Sequence, residues 1–230
     1  MYNLIKKIII KNKVIITLYI NFNHFIYSIG YMILFRRANP SIDYTKVDRV
    51  MFIAHPDDEI VSMGNFLLKY PQNLLIICMT NGGNFKRLEE FTSLMKYLNV
   101  QYQIWNFKDS LNGQWNQRKV LKKIKQVIDQ KKDWEMVLTH NQDGDYGHFQ
   151  HKEVYRLVRL SYSKPNLFVP VRREFLRSAE YKLSLEETQA KITLFQKYYP
   201  SQQHIIDLYK EYFEYEFINR DGGEVNVNKS

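Results

Sequence analysis

Residues 49–59 read RVMFIAHPDDE, a short apolar run followed at once by a histidine, a proline and three acids. An apolar run of this length with polar boundaries is typical of a buried strand. Further runs at Leu74–Thr80, Tyr102–Phe107, Glu135–His140 and Asn166–Val169 alternate with segments of helical spacing. This alternation predicts an α/β fold: a Rossmann-like, mostly parallel sheet with helices on both faces.

The helical segments lie between these runs and after the last one, at Glu59–Tyr70, Phe85–Leu98, Gln117–Lys131, His148–Tyr162 and Leu185–Tyr198. The whole pattern occupies residues 48–220, which we predict to be one domain. Residues 38–47 are predicted to be a linker and residues 221–230 a disordered tail. The aromatic residues of the last forty positions, Tyr209 and Tyr212 among them, are interpreted as helix packing or as a stacking rim of a binding site.

The positive charge is concentrated near the N-terminus. The net charge is +9, and the first 42 residues carry six basic residues and no acid, which leaves +3 for the other 188. Residues 14–35 contain no charged residue and are long enough to span a bilayer, although Asn21, Asn23, His24 and Ser28 are costly there. We predict that residues 1–37 form an apolar helix that spans or lies on an anionic membrane, or packs on the domain or a partner.

No nucleic-acid-binding motif accompanies this charge, so no nucleic-acid partner is expected. The single cysteine, Cys78, lies in an apolar run and is predicted to be a buried thiol. One cysteine cannot form an internal disulfide, so we expect a membrane-associated or cytoplasmic protein rather than a disulfide-stabilised secreted one. The sequence leaves the oligomeric state open.

Two groups of polar residues follow strands of the predicted sheet. His55, Asp57 and Asp58 come directly after the first strand, where they either cap the next helix or bind a cation. The loop after the Glu135–His140 strand contains His148 and His151, a pair that is weak evidence when taken alone. Carboxyl ends of parallel strands share one edge of the sheet, so the two groups together predict a metal site. A hydrolytic zinc site needs three nitrogen or oxygen ligands and an open position.

These residues also carry a resemblance to a known family. The segment from His55 to Glu59 and the Gly147-His148-x-x-His151 motif resemble the PIG-L (LmbE-like) zinc-dependent N-acetylglucosaminyl de-N-acetylases. Weaker matches extend the resemblance over residues 48–220, at Thr80-Asn81-Gly82, Arg87 and Glu90, Leu98-Asn99-Val100, and Lys191 with Tyr199–Gln202.

The resemblance implies a hydrolase that removes the N-acetyl group from an N-acetylglucosamine (GlcNAc)-containing glycoconjugate, including lipid-linked or cell-surface forms. It implies zinc, with ferrous iron as the alternative, bound by His55, Asp58 and His151. Asp57 would be the general base, and His148 would stabilise the oxyanion or protonate the leaving amine. The remaining implied residues are Tyr146, which would close over the acetyl carbonyl, and Arg87, Asp109 and Asn81, which are weaker candidates for substrate contacts.

One departure from the family pattern leaves other functions open. The family often has Pro-Asp between its two histidines, where this chain has Phe149-Gln150, and this puts the pKa of His148 in doubt. It allows a catalytically weak zinc-binding partner subunit in glycan assembly as an alternative. A metal-dependent glycosyltransferase that uses Asp143 and Asp145 is a further alternative.

Overall fold

The computed structural model describes residues 36–110 and 115–222, together with residues 22, 25–26, 29–30 and 32–33. The chain divides between Arg37 and Ala38 into two units. In the first unit the described residues are helical. The rest of the predicted apolar helix lies outside the described residues, and no helix in the described part is long and apolar enough to cross a bilayer.

Within the described residues, six strands of the second unit form one sheet in the order β3-β2-β1-β4-β5-β6. Neighbouring strands are parallel except for β5 and β6, which are antiparallel. The strands are β1 (Arg49–Ile53), β2 (Leu74–Thr80), β3 (Gln101–Phe107), β4 (Met136–Leu138), β5 (Leu167–Pro170) and β6 (Ile218–Arg220). The central strands β1 and β2 are almost entirely buried, as expected for a sheet covered on both faces.

Helices connect and cover the strands. They are α1 (Asp58–Lys69), α2 (Phe85–Leu98), α3 (Gln117–Ile128), α4 (Phe149–Ser161), α5 (Arg173–Leu176), α6 (Leu185–Tyr198), α7 (His204–Leu208) and α8 (Lys210–Glu214). Side chains of Asn84, Asn116 and Ser184 accept backbone N–H groups at the starts of α2, α3 and α6, which satisfies donors that a helix leaves free.

The predicted fold class is confirmed, with differences at the ends of elements. Strand β4 covers Met136–Leu138, shorter than the predicted Glu135–His140. Strand β6 was not predicted, since it has three residues and none is buried. Asp221, at the start of the predicted tail, is held by an ion pair with Arg159 at 2.9 Å, and residues 223–230 lie outside the described part. Cys78 is buried, as predicted.

The sheet places the two polar groups next to each other. Strands β1 and β4 are direct neighbours, with Arg49 opposite Met136 and Met51 opposite Leu138. Their carboxyl ends therefore lie side by side, and the turn after β1 meets the loop after β4.

Candidate metal centre and active site

The turn that follows β1 carries the first group of candidate residues. Asp57 has a φ of 112°, a left-handed conformation that is strained for a residue with a side chain. Its backbone N–H donates to Glu59 at 3.1 Å, and Asp58 begins α1, where the helix N-terminus favours acids. The two neighbouring carboxylates have different partners, since Asp57 bonds to Arg87 and Asp58 contacts histidines.

The loop between β4 and α4 carries the second group. Gly144, Asp145 and Gly147 all have positive φ, so the loop reverses direction within a few residues. It ends at His148, whose Nδ1 accepts the backbone N–H of Gln150 at 3.2 Å and so caps α4. His151, in the first turn of α4, is fully buried.

Three side chains from these segments bring potential ligand atoms together. His55 Nδ1 lies 3.3 Å from Asp58 Oδ2 and 3.3 Å from His151 Nε2, and His151 Nε2 lies 3.1 Å from Asp58 Oδ1. Ligand atoms about 2.0–2.1 Å from a tetrahedral zinc ion are themselves about 3.3 Å apart. The two imidazole nitrogens lie at this distance from each other, and each lies at a similar distance from a different oxygen of Asp58. These three residues, the ligands expected from the sequence, form the His55–Asp58–His151 cluster. Among the described residues, the groups that could hold a metal ion are His55 with His148 and His151, and Asp58 with His140 and His151.

His140 lies beside the cluster, but both of its ring nitrogens are engaged. Its Nε2 accepts the backbone N–H of Ala54 at 2.9 Å, and its Nδ1 lies 2.6 Å from Asp145. A nitrogen that accepts an N–H carries no proton, so His140 is the neutral tautomer with its proton on Nδ1. Burial and the adjacent His151 lower its pKa, which favours the same state. His140 therefore stacks on His151, at 3.9 Å between ring centres, and supports that ring rather than acting as a ligand.

His148 is placed to donate a hydrogen bond. Its Nδ1 caps α4, so the proton of the neutral ring is on Nε2. Burial, together with the nearby His151 and His55, lowers the pKa of His148 to about 4. Its ring centre is 4.8 Å from that of His55. A neutral imidazole with a free Nε2–H beside the cluster is suited to bind a carbonyl oxygen or its developing negative charge.

The three weaker candidates for substrate contacts lie in two different parts of the site. Arg87 is mostly buried and pairs with Asp57 at 2.9 Å, so it contacts the candidate base. Asn81 donates to Asp109 at 3.0 Å, and Asp109 lies 3.4 Å from His55 Nε2. The hydrogen bond to His55 lowers the pKa of Asp109 to about 2. Asn81 and Asp109 thus lie at the accessible edge of the cluster.

Tyr146 joins the site to the C-terminal part of the chain. Its ring centre is 5.0 Å from that of His151 and 6.2 Å from that of His148. The ring stacks on Tyr209 at 3.8 Å. Tyr209 therefore contacts a candidate site residue, which favours the rim interpretation of the aromatic tail over helix packing alone at this position.

Residues of the C-terminal segment also donate hydrogen bonds to two buried acids near the site. Tyr199 Oη donates to Glu59, which is fully buried. Ser201 donates to Glu90 from its hydroxyl at 2.7 Å and from its backbone at 2.9 Å. The sequence did not predict these hydrogen bonds. The one feature that pointed to this segment was the resemblance of Tyr199–Gln202 to a family element.

The side chain of Gln150 contacts His55 and not His148, the histidine expected from the sequence. Its side-chain Oε1 lies 2.7 Å from His55 Nε2, and only its backbone reaches His148. The departure at Phe149-Gln150 therefore concerns the orientation of His55 through the side chain. The pKa of His148 is set by burial and neighbouring histidines instead.

The Asp143-Gly144-Asp145 sequence does not form a paired carboxylate site. Asp145 is buried and bonds to His140 and Ser62, whereas Asp143 is partly exposed and pairs with Arg172. The two carboxylates have separate partners, which removes the structural basis for the glycosyltransferase alternative.

Comparison with known proteins agrees with this geometry. Residues 50–162 match the family model PIG-L, described as GlcNAc-PI de-N-acetylase. An uncharacterized protein of Acanthamoeba polyphaga mimivirus is 34% identical over 140 residues, a match that spans 54% of this chain and 61% of that protein.

Solved structures with the same fold include two deacetylases. A triple mutant of a deacetylase of the teicoplanin biosynthetic pathway has a TM-score of 0.57 at 14% identity, covering 77% of this chain and 100% of that chain. The N,N'-diacetylchitobiose deacetylase from Pyrococcus horikoshii has a TM-score of 0.53 at 15% identity, covering 88% of this chain and 97% of that chain. At these identities the likeness concerns the fold.

Proposed function

We propose, from the PIG-L family domain that residues 50–162 of this chain form, that the protein is a zinc-dependent hydrolase of N-acetyl groups on GlcNAc-containing glycoconjugates. The observation that carries the proposal is the His55–Asp58–His151 cluster, whose two imidazole nitrogens lie 3.3 Å apart and within 3.1–3.3 Å of the Asp58 carboxylate. Two imidazoles and one carboxylate are a ligand set of hydrolytic zinc sites, and ferrous iron is the alternative ion.

The chain's own groups supply the proton transfers. When bound, the cation supplies Lewis acidity that makes water more acidic and a carbonyl more electrophilic. Asp57 takes the proton of the water that adds to the acetyl carbonyl, and the Nε2–H of His148 binds the oxygen that gains negative charge. The bond from the carbonyl carbon to the sugar nitrogen then breaks. The amine leaves with the proton that Asp57 took from the water and now returns, and acetate is the second product.

The rim of the site supports a sugar substrate. The Tyr146–Tyr209 stack offers aromatic surface next to His151, and Asn81 and Asp109 offer polar groups beside His55. Aromatic rings suit the apolar faces of sugars, and paired polar groups suit their hydroxyls. The names of the matching family and of the chitobiose deacetylase agree with a GlcNAc unit.

Acetate release from a panel of compounds tests the proposal. The full chain, loaded with Zn²⁺, is incubated with GlcNAc-phosphatidylinositol, GlcNAc-inositol, GlcNAc-malate, chitooligosaccharides and lipid-linked GlcNAc. We expect acetate from at least one compound, lost on chelation and restored by metal. A protein that binds metal and releases no acetate from any of them contradicts the proposal and supports the partner-subunit alternative.

A further inference from the structure

The amide of Gln150 links the cluster to the backbone immediately after β3. Gln150 lies in the first turn of α4 and is completely buried. Its Nε2 donates to the carbonyl of Lys108 at 2.8 Å, and its Oε1 lies 2.7 Å from His55 Nε2. Both ends of the amide are thus used.

The Lys108 carbonyl decides which way the amide points. A carbonyl oxygen can only accept, so the NH₂ group of Gln150 must face Lys108 and its Oε1 must face His55. His55 Nε2 must then carry a proton in order to donate to Oε1. In the neutral ring, the form that binds a metal ion, the other nitrogen Nδ1 then has its lone pair toward Asp58 and His151, at 3.3 Å from each. The Lys108 carbonyl, acting through Gln150, thus places a proton on His55 Nε2, in agreement with the Asp109 carboxylate 3.4 Å from the same nitrogen.

We propose that Gln150 is the positioning residue that presents His55 Nδ1 to the metal, an inference that rests on the proposed metal site. An ionised carboxylate at this position accepts from His55 but has no donor for Lys108, so an amide fits both partners. Asp109, at 3.4 Å from the same His55 nitrogen, is exposed and is the weaker constraint. Partners of metal-binding histidines typically change metal affinity by about 10–100-fold.

Metal affinity of the full chain tests this role without reference to turnover. The dissociation constants for Zn²⁺ and Co²⁺ are measured by competition with a chelator. Gln150→Leu removes both hydrogen bonds, and we expect its dissociation constant to rise by about 10–100-fold. Gln142→Leu is the matched control, because Gln142 is an exposed amide of the loop that precedes α4, and its affinity should be unchanged.

A second variant separates positioning from packing. Gln150→Glu has nearly the same shape and keeps an acceptor for His55, so it should regain most of the affinity that Gln150→Leu loses. It also keeps the test decisive if the leucine variant does not fold. An unchanged affinity in folded Gln150→Leu, or a glutamate variant no better than leucine, would overturn the inference. Absence of metal binding by the wild-type chain would instead overturn the proposed function.

Discussion

Arg87 holds the carboxylate of Asp57: Nη2 lies 2.9 Å from Oδ2, and the two side chains are 11% and 10% exposed. Arg87 also pairs with Glu90 and donates to the carbonyl of Pro56. Burial raises the pKa of Asp57 to about 6, against the opposing charge of Arg87. The proposed base is therefore ionised at neutral pH and still basic enough to accept a proton.

Replacing Asp57 tests its role as the base. Asp57→Asn keeps the shape and removes the basicity, so kcat should fall by about 10²–10⁴-fold while bound metal and KM stay near wild type. Wild-type activity should increase with pH as Asp57 loses its proton. This acid limb lies at or below pH 6, because a bound cation lowers the pKa further, and it should be absent in the variant. Near-normal turnover with metal present would assign the proton to another group, first of all Glu59.

Replacing Arg87 separates support of the base from contact with substrate. Arg87→Gln leaves the buried carboxylates of Asp57 and Glu90 without their cation. We expect a loss of about 3–5 kcal/mol in the free energy of unfolding and an acid limb displaced to higher pH. The exposed neighbour Lys86 provides the control, Lys86→Gln, which should change neither quantity. A raised KM with an unmoved acid limb would identify Arg87 as a substrate contact instead.

The sequence predicted the part of the site that lies at the carboxyl ends of strands. Two apolar runs that end in polar residues predicted two polar groups at one edge of the sheet, and the structure places His55 and His151 together there. The sequence did not predict the contacts that the C-terminal segment makes, such as Tyr199 with Glu59 and Tyr209 with Tyr146. They join residues 63 or more positions apart in regions without a regular period, so spacing carries no information about them.

The Gln150 contact shows a second limit. Sequence proximity suggested His148, two positions away, as the partner of residue 150. Helix capping decides otherwise, since His148 turns its Nδ1 onto the backbone N–H of Gln150. The Gln150 side chain is then free to reach His55, which lies across the sheet edge and 95 positions earlier.

The two histidines of the HxxH motif should respond differently to substitution. His151→Ala removes a proposed ligand and should lower metal content severely. His148→Ala should retain metal and lose activity by about 10²–10³-fold, the usual cost of removing one oxyanion donor. Metal analysis and acetate release on the same preparations give both readouts. His204→Ala, at an exposed histidine of α7, is the control. Equal metal loss in the two motif variants would contradict the assignment.

A buried ion pair should contribute strongly to stability. Lys191 Nζ lies 2.6 Å from Glu216, with the side chains 0% and 4% exposed. Glu216 also accepts the backbone N–H groups of Asn65 and Phe66, which a kink in α1 leaves free. Glu216→Gln leaves Lys191 buried without its anion, and we expect a loss of about 3–5 kcal/mol in urea denaturation.

The matched control for this pair is at the surface. Glu214 pairs with Lys210 one helical turn away, with side chains 35% and 74% exposed. Glu214→Gln should cost at most about 0.3–0.5 kcal/mol. Similar losses in Glu216→Gln and Glu214→Gln would show that burial does not increase the contribution of the Lys191–Glu216 pair to stability.

Lys123 should make stability depend on pH in the alkaline range. Its Nζ lies 4.3 Å from the centre of the Trp105 ring, and no carboxylate pairs with it among the described residues. Burial lowers its pKa from 10.5 to about 8. Between these values the unfolded chain holds more protons than the native state, so the contribution of Lys123 to stability is present above pH 10.5 and is lost as pH falls through 8.

Lys123→Met keeps an aliphatic side chain on Trp105 and removes the charge. It should therefore raise stability at pH 7 and flatten the rise between pH 8 and 10.5, as measured by urea denaturation across this range. Lys122→Met, at the exposed neighbouring position, should keep the wild-type slope. If both variants show the wild-type slope, Lys123 is solvated in solution and its charge costs the fold nothing.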